Sequence, residues 1–170
     1  MNWSEWLLWG FVSTVVLTTI LASSQGLGLT RMNLPYLLGT MFTPARDRAK
    51  FIGTAVHFFN GWVFSLLYMA IFHSLEKTTW WLGAIMGLMH GTFVLTVMMP
   101  ALSAFHPRMA NEQYGPDVAR QLEPPGFLAL HYGIRTPISV LIAHAIFGAI
   151  LGMFCSLDTS GWSQFHQLTK

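Results

Sequence analysis

Three histidines lie inside long apolar segments of this chain, where they would be surrounded by a bilayer or a protein core. They are His57, His90 and His144, and Asn60 follows the first of them by one helical turn. A neutral imidazole can donate one hydrogen bond, accept another and bind a metal ion. Polar groups inside membrane spans are functional-site hypotheses by default. These four residues are therefore the candidate cofactor-binding site.

Haem b is one cofactor that this pattern suggests. Counted from the predicted start of its span, His57 lies about 9 Å into the membrane and His144 about 10 Å. Two imidazoles facing each other at one depth are what six-coordinate haem iron takes from a protein. Each is followed by a glycine one turn later, Gly61 and Gly148, which would leave room for the macrocycle. The same pattern also fits simple helix packing, with each imidazole making an interhelical hydrogen bond worth about 0.6 to 2 kcal/mol.

A second group of potential metal ligands lies between the third and fourth apolar segments. His106 and His131 fall in this long connection, together with Asp117 and Glu123. Imidazole nitrogens and carboxylate oxygens are ligands of zinc and non-haem iron, so this set is a second candidate metal site. The sequence contains no HExxH, Gly-rich phosphate loop or GxSxG motif, so we assign no catalytic residue and expect a protein without enzymatic activity.

The composition indicates an integral membrane protein. Of the 170 residues, 53% are hydrophobic and 9% are charged, against about 25% charged in an average soluble protein. A net charge of +2 without a long basic run gives no basis for nucleic-acid binding. Cys155 is the only cysteine, so an intrachain disulfide is excluded.

Four apolar segments predict an all-α membrane protein, a four-transmembrane-helix bundle that forms a single domain over residues 1–170. The second segment has 22 uncharged residues, which as a helix span about 33 Å, the thickness of the hydrocarbon core. The spacing of leucines after the first segment predicts a short interfacial helix. The predicted spans are 6–27, 51–72, 80–102 and 137–157, and the interfacial helix is 34–42.

Proline positions predict where these helices begin and end. Thr43-Pro44 and Thr136-Pro137 each predict an N-cap followed by proline at the first helical position. Together with the shared H-x-x-x-G, they suggest that the second and fourth spans belong to a two-helix repeat. Pro100 predicts a kink or an end in the third span.

Small residues recur at every fourth position and predict close helix contacts. The third span carries Gly83, Gly87 and Gly91, and the fourth carries His144, Gly148 and Gly152. Such stripes let membrane helices approach closely.

The distribution of cations predicts the orientation of the chain. The first and third connections and their flanks hold seven Lys and Arg residues, whereas the termini and the second connection hold Lys77 and Lys170. Cytoplasmic loops carry the excess of Lys and Arg. We therefore expect a multi-pass protein of the cell inner membrane with both termini extracytoplasmic.

Three stretches beside the spans resemble uncharacterised small multi-pass proteins of bacterial inner membranes: TMFTPARDRAKFIG, HPRMANEQYGP and LEPPGFLALHYGIRTP. The resemblance covers most of the chain and implies a bacterial membrane protein, but no activity or cofactor. The leading hypothesis is an accessory or assembly subunit of a larger membrane complex, in contact with lipid and with other membrane subunits. The alternative is an electron carrier with His-ligated haem or another metal, linked to a quinone.

Overall fold

The structure, a computed structural model, describes residues 3–111 and 114–157, and this part of the chain folds into helices without a β-strand. The long helices are α1 (Trp3–Gly26), α3 (Arg46–Ser74), α4 (Trp80–Phe93), which continues into α5 (Met99–Phe105), and α6 (Thr136–Phe154). The short ones are α2 (Leu34–Gly39) and a 3-10 segment, Phe127–Tyr132. Four helices, counting Trp80–Phe105 as one, are long and apolar enough to cross a membrane, which confirms the all-α prediction. Their insertion into a bilayer stays a prediction.

The two Thr-Pro prolines do not occupy the predicted positions. Ala45 is the N-cap of α3 and caps it without a side-chain hydrogen bond. The Thr43 hydroxyl instead accepts a hydrogen bond from the Ala45 N–H at 3.3 Å, so Pro44 lies in a turn before the helix. In α6 the N-cap is Arg135, which places Thr136 at the first helical position and Pro137 at the second.

The third span does not end near Pro100. Residues Val94–Met98 form a π-helix between α4 and α5, and the helix then continues to Phe105. A proline inside a helix has no N–H for the carbonyl four residues earlier, and its ring crowds that carbonyl. The wide π turn lies directly before Pro100 and accommodates this defect, so the helix continues.

Two helix pairs meet at the predicted small residues. A Cβ added to Gly83 would collide with the Gly148 carbonyl oxygen, and one added to Gly87 with that of His144, so the backbones of α4 and α6 touch. Between α1 and α3, Gly61 faces the Thr14 side chain in the same way. α1 also packs against α6, which gives the order α3, α1, α6, α4 around the core.

One end of the molecule, which we call the basic end, contains residues 27–45, 106–111 and 114–135. Here Thr30 and Thr136 share a hydrogen bond of 2.7 Å between their hydroxyls, both buried. Arg31 forms an ion pair with Glu123 at 3.2 Å. The opposite end contains residues 75–79 and the start of α1. His166, Trp162 and Lys170 lie outside the described residues.

Candidate functional site

The three predicted histidines come from three helices, and the structure brings two of their rings into direct contact. The ring centroids of His90 and His144 lie 4.7 Å apart, with the ring planes at 83°. His57 is close enough to both rings for an electrostatic interaction. We call His57, His90 and His144 the histidine cluster.

Glycines on α4 determine how close these rings come. Gly87 touches the backbone carbonyl of His144, and a Cβ on Gly91 would lie 3.2 Å from the His144 Cβ. Larger residues at either position would hold α6 away from α4. The contact between His90 and His144 therefore follows from the glycine stripe, which lies one residue from His90.

The hydrogen bond of His144 identifies its neutral tautomer. Its Nδ1 lies 2.8 Å from the Val140 carbonyl oxygen. A carbonyl can only accept, so Nδ1 carries the proton and Nε2 keeps a lone pair. His144 is 5% exposed, which places this lone pair in the interior.

His90 is held between aromatic side chains of α3. The Phe64 ring stacks on it with centroids 4.0 Å apart, and the Tyr68 hydroxyl lies 3.4 Å from its Nδ1. Neither Phe64 nor Tyr68 is among the residues predicted for the site. A signal was present, because Phe64 and Tyr68 follow His57 by seven and eleven residues and so share its helix face.

Three polar side chains on α3 have a group without a partner in the described part of the chain. The Nε2 atoms of His57 and His73 are buried without a hydrogen bond. The Asn60 amide, half-buried at the middle of α3, also has no hydrogen bond to any described residue. Asn60 therefore lies on the same helix as His57 but takes no part in contacts within the histidine cluster.

The histidine cluster does not have the geometry of a multi-ligand metal centre. Within residues 3–111 and 114–157, no group of three or more His, Cys, Asp or Glu side chains could hold a metal ion. A haem held between His90 and His144 does not fit, because the two rings already touch and the glycines keep α4 and α6 in contact. The pairing of His57 with His144 in one site stays a prediction.

At the basic end, His106 and His131 lie in different surroundings. His106 is buried; its Nε2–H donates to the Leu37 carbonyl at 3.0 Å, and its Nδ1 accepts from the Arg108 N–H at 3.1 Å. Burial lowers the pKa of His106, and the charge of Arg108 adds to that effect. His131 is exposed, and its Nδ1–H donates to the Pro124 carbonyl at 2.9 Å.

The carboxylates expected near these histidines are engaged elsewhere. Asp117 accepts backbone hydrogen bonds from Arg120 and Ala119, which lower the pKa of its carboxyl, and it pairs with the Arg120 side chain at 2.9 Å. Glu123 pairs with Arg31. Both ring nitrogens of His106 make hydrogen bonds, and both carboxylates pair with arginines. The contacts among the described residues therefore do not support the second metal-site hypothesis.

Comparisons with protein-family models, with curated proteins and with solved structures each gave no match for this chain. Its function must therefore be inferred from the geometry of the chain itself.

Proposed function

We propose that this protein is a non-enzymatic accessory or assembly subunit of a larger complex in a bacterial inner membrane. The observation that carries the proposal is the Asn60 amide at the middle of α3, which has no hydrogen-bond partner in the described chain. In a bilayer core there is no water to satisfy an amide, and each unsatisfied group costs several kcal/mol. A second protein that supplies the partner removes this cost.

The surroundings of Asn60 favour a transmembrane helix as that partner. Val56, Asn60, Val63 and Leu67 follow one another at intervals of four, three and four residues, which is the seam of a left-handed helix pair. Val63 is 48% exposed and Leu67 52%, so this seam faces outward. A single Asn in such a seam fixes the register between two helices. The seam thus combines an apolar surface with one polar group that selects its partner.

Photo-crosslinking in the native membrane tests this function. Benzoylphenylalanine placed at Val63 should form a crosslink to another membrane protein, and the same group at Ile142, exposed on α6, should not. Asn60→Leu should abolish the crosslink at 63. The matched control is Thr92→Val, because the exposed Thr92 hydroxyl already donates to the Leu88 carbonyl in its own helix.

Three results would contradict the subunit role. One is a product of twice the chain mass alone, which would indicate self-association. Another is crosslinking to lipid only. The third is a crosslink to another protein that Asn60→Leu leaves unchanged, because Asn60 would then not select the partner.

A haem-binding electron carrier is the second candidate, and the convergence of three imidazoles favours it. The packing of His90 against His144 opposes it, so haem would have to bind His57 and His144 with α3 displaced. The absorbance of protein purified from haem-replete cells decides between the two functions. A Soret band lost in both His57→Ala and His144→Ala, but kept in His73→Ala, would support the carrier.

A further inference from the structure

A cavity of about 750 Å³ lies at the basic end, between α5 and the connection that follows it. This volume is within the range of small-molecule sites, roughly 300 to 1,000 Å³. Pro100 and Ala104 line it from the helix, and Phe127 and His131 from the 3-10 segment. Pro100, Ala104 and Phe127 are exposed, so the cavity opens on the outer surface of the span rather than toward the core.

A glycine allows the His131 side chain to lie in this cavity. Gly126 has a φ of +69°, a left-handed conformation that L side chains rarely adopt. A Cβ at this residue would also lie 2.8 Å from the His131 ring. Gly126 therefore allows both the turn and the close approach of the imidazole.

Two polar side chains that line the cavity, His131 and Ser103, offer acceptors, and the Asn111 amide, which also lines it, donates to the Ser103 carbonyl at 3.4 Å. His131 donates from Nδ1–H to Pro124, so in the neutral imidazole Nε2 carries a lone pair, and it has no hydrogen bond to the described residues. Ser103 donates its hydroxyl proton to the Pro100 carbonyl at 2.8 Å, which leaves its oxygen as an acceptor. A ligand must supply the donor to satisfy these atoms.

The walls and rim of the cavity exclude a charged head group and favour an apolar body. The described residues that line it include no Lys, Arg, Asp or Glu. Large apolar side chains nearby are strongly exposed, with Phe105 at 79%, Phe127 at 68% and Ile134 at 82%. Exposed apolar groups at the end of a membrane span are stable in the interfacial layer of lipid. A ligand can therefore enter from the bilayer.

We propose that this cavity binds an uncharged membrane-soluble amphiphile whose head group carries a hydroxyl donor, with that hydroxyl bonded to Nε2 of His131. Quinols and diacylglycerols share this chemistry. The site is independent of the Asn60 seam, and its occupancy does not require a partner subunit.

Photolabelling of the purified full-length protein in lipid nanodiscs tests the proposal. Three diazirine-tailed probes are compared: a hydroquinone kept reduced, a diacylglycerol, and the di-O-methylated form of the hydroquinone. At least one hydroxyl probe should label residues around the cavity saturably. The di-O-methylated probe should bind about tenfold more weakly than the hydroquinone if the quinol is the ligand, because it has no hydroxyl donor for His131.

Variants link the labelling to the cavity. His131→Phe keeps a ring without an acceptor and should weaken binding of the hydroxyl probe about tenfold. Ala104→Trp should block the cavity, whereas Ile138→Trp, on an exposed position of α6 away from it, should bind as the unmodified protein does. If His131→Phe fails to fold, as judged by melting temperature, Ala104→Trp and the probe comparison still decide.

Saturation by the hydroquinone alone would identify a quinol, and saturation by the diacylglycerol alone would identify a lipid. If all three probes labelled the protein without saturation, the proposal would be overturned. It would also be overturned by hydroxyl-probe binding that is unchanged in a folded His131→Phe or in Ala104→Trp, or, where the hydroquinone saturates, by equal saturable binding of the hydroquinone and its di-O-methylated form.

Discussion

His106 joins α2 to the long connection through one imidazole, and this attachment should depend on pH. Protonation of Nδ1 would place a donor against the Arg108 N–H, which is itself a donor. The pKa of His106 is lowered in the folded protein, whereas an opened segment regains the ordinary value of about 6.5. The opened form therefore binds a proton first as the pH falls, so the attachment is complete above about 6.5 and weakens below it.

Hydrogen exchange of amides in α2, corrected for the intrinsic pH dependence, measures this effect. Protection should fall between about pH 6.5 and 5 in the unmodified protein. His106→Asn keeps an acceptor near Nδ1 but cannot be protonated, so its protection should not change with pH over this range. Equal pH dependence in the two proteins would show that another group controls the opening.

The position of a residue along its helix was predictable from the sequence, but its contacts with other helices were not. His57, His90 and His144 lie inside long apolar helices, as predicted, because the length of an apolar run is a local property of the sequence. The contact of His90 with His144 depends on which helix packs beside α4, and that choice is made by interactions between distant parts of the chain. The acceptor role of Nε2 in His131 was equally inaccessible, because it follows from a hydrogen bond to Pro124 that only the folded backbone creates.

At the scale of helices, the α4 and α6 contact should be intolerant of any side chain at its glycines. Gly87→Ala would press a methyl group against the His144 carbonyl. Overpacking of this kind costs about 1 to 3 kcal/mol, and Gly87→Leu should exceed that. The free energy of unfolding in mixed micelles measures the loss.

Gly26→Ala is the matched control for that prediction. A Cβ at Gly26 has nothing within 4 Å, so this substitution should be neutral or slightly stabilising, since alanine has the higher helix propensity. If Gly87→Ala and Gly26→Ala had equal effects, the close contact would not contribute to stability.

Helix contacts were more predictable than helix ends. The stripes correctly indicated that Gly83, Gly87 and Gly148 lie at an interface, because only small residues permit backbones to touch. Positions off the stripes are less predictable: Val94 lies outside the glycine stripe of the third span, yet it packs partly buried against the core. The predicted N-cap positions were wrong because a Thr-Pro pair is also compatible with a turn before the helix. For this reason α3 begins only at Arg46.

At the scale of the whole molecule, the distribution of charge predicts the orientation. The basic end and the start of α3 hold seven Lys and Arg residues in the sequence, against two elsewhere. We expect the basic end in the cytoplasm and both termini outside.

Single-cysteine labelling in a Cys155→Ala background measures this orientation. A membrane-impermeant thiol reagent applied to the outside of the inner membrane should modify Glu76→Cys and leave Arg48→Cys unmodified. Both positions are exposed at their helix ends, so accessibility differs only through the membrane. Labelling of Arg48→Cys alone would invert the topology.

The four helices long and apolar enough to cross a membrane were predictable from the length and hydropathy of the apolar runs. The arrangement at the basic end was not, because it depends on side-chain contacts between segments about 100 residues apart, such as Thr30 with Thr136. The cavity beside His131 likewise exists only once α5 and the 3-10 segment have met.

The π segment has a geometric consequence for the third span. In a regular α-helix a step of four residues rotates about 40° past a full turn, so residues at every fourth position drift around the helix. From Gly83 to Met99 that drift would total about 160°, which would turn Met99 to the far side. Met99 is nevertheless 5% exposed and Leu95 1%. The π turn holds an extra residue and so resets the helical phase. It therefore fixes the rotation of α5, which lines the cavity, relative to α4, which carries the glycine stripe.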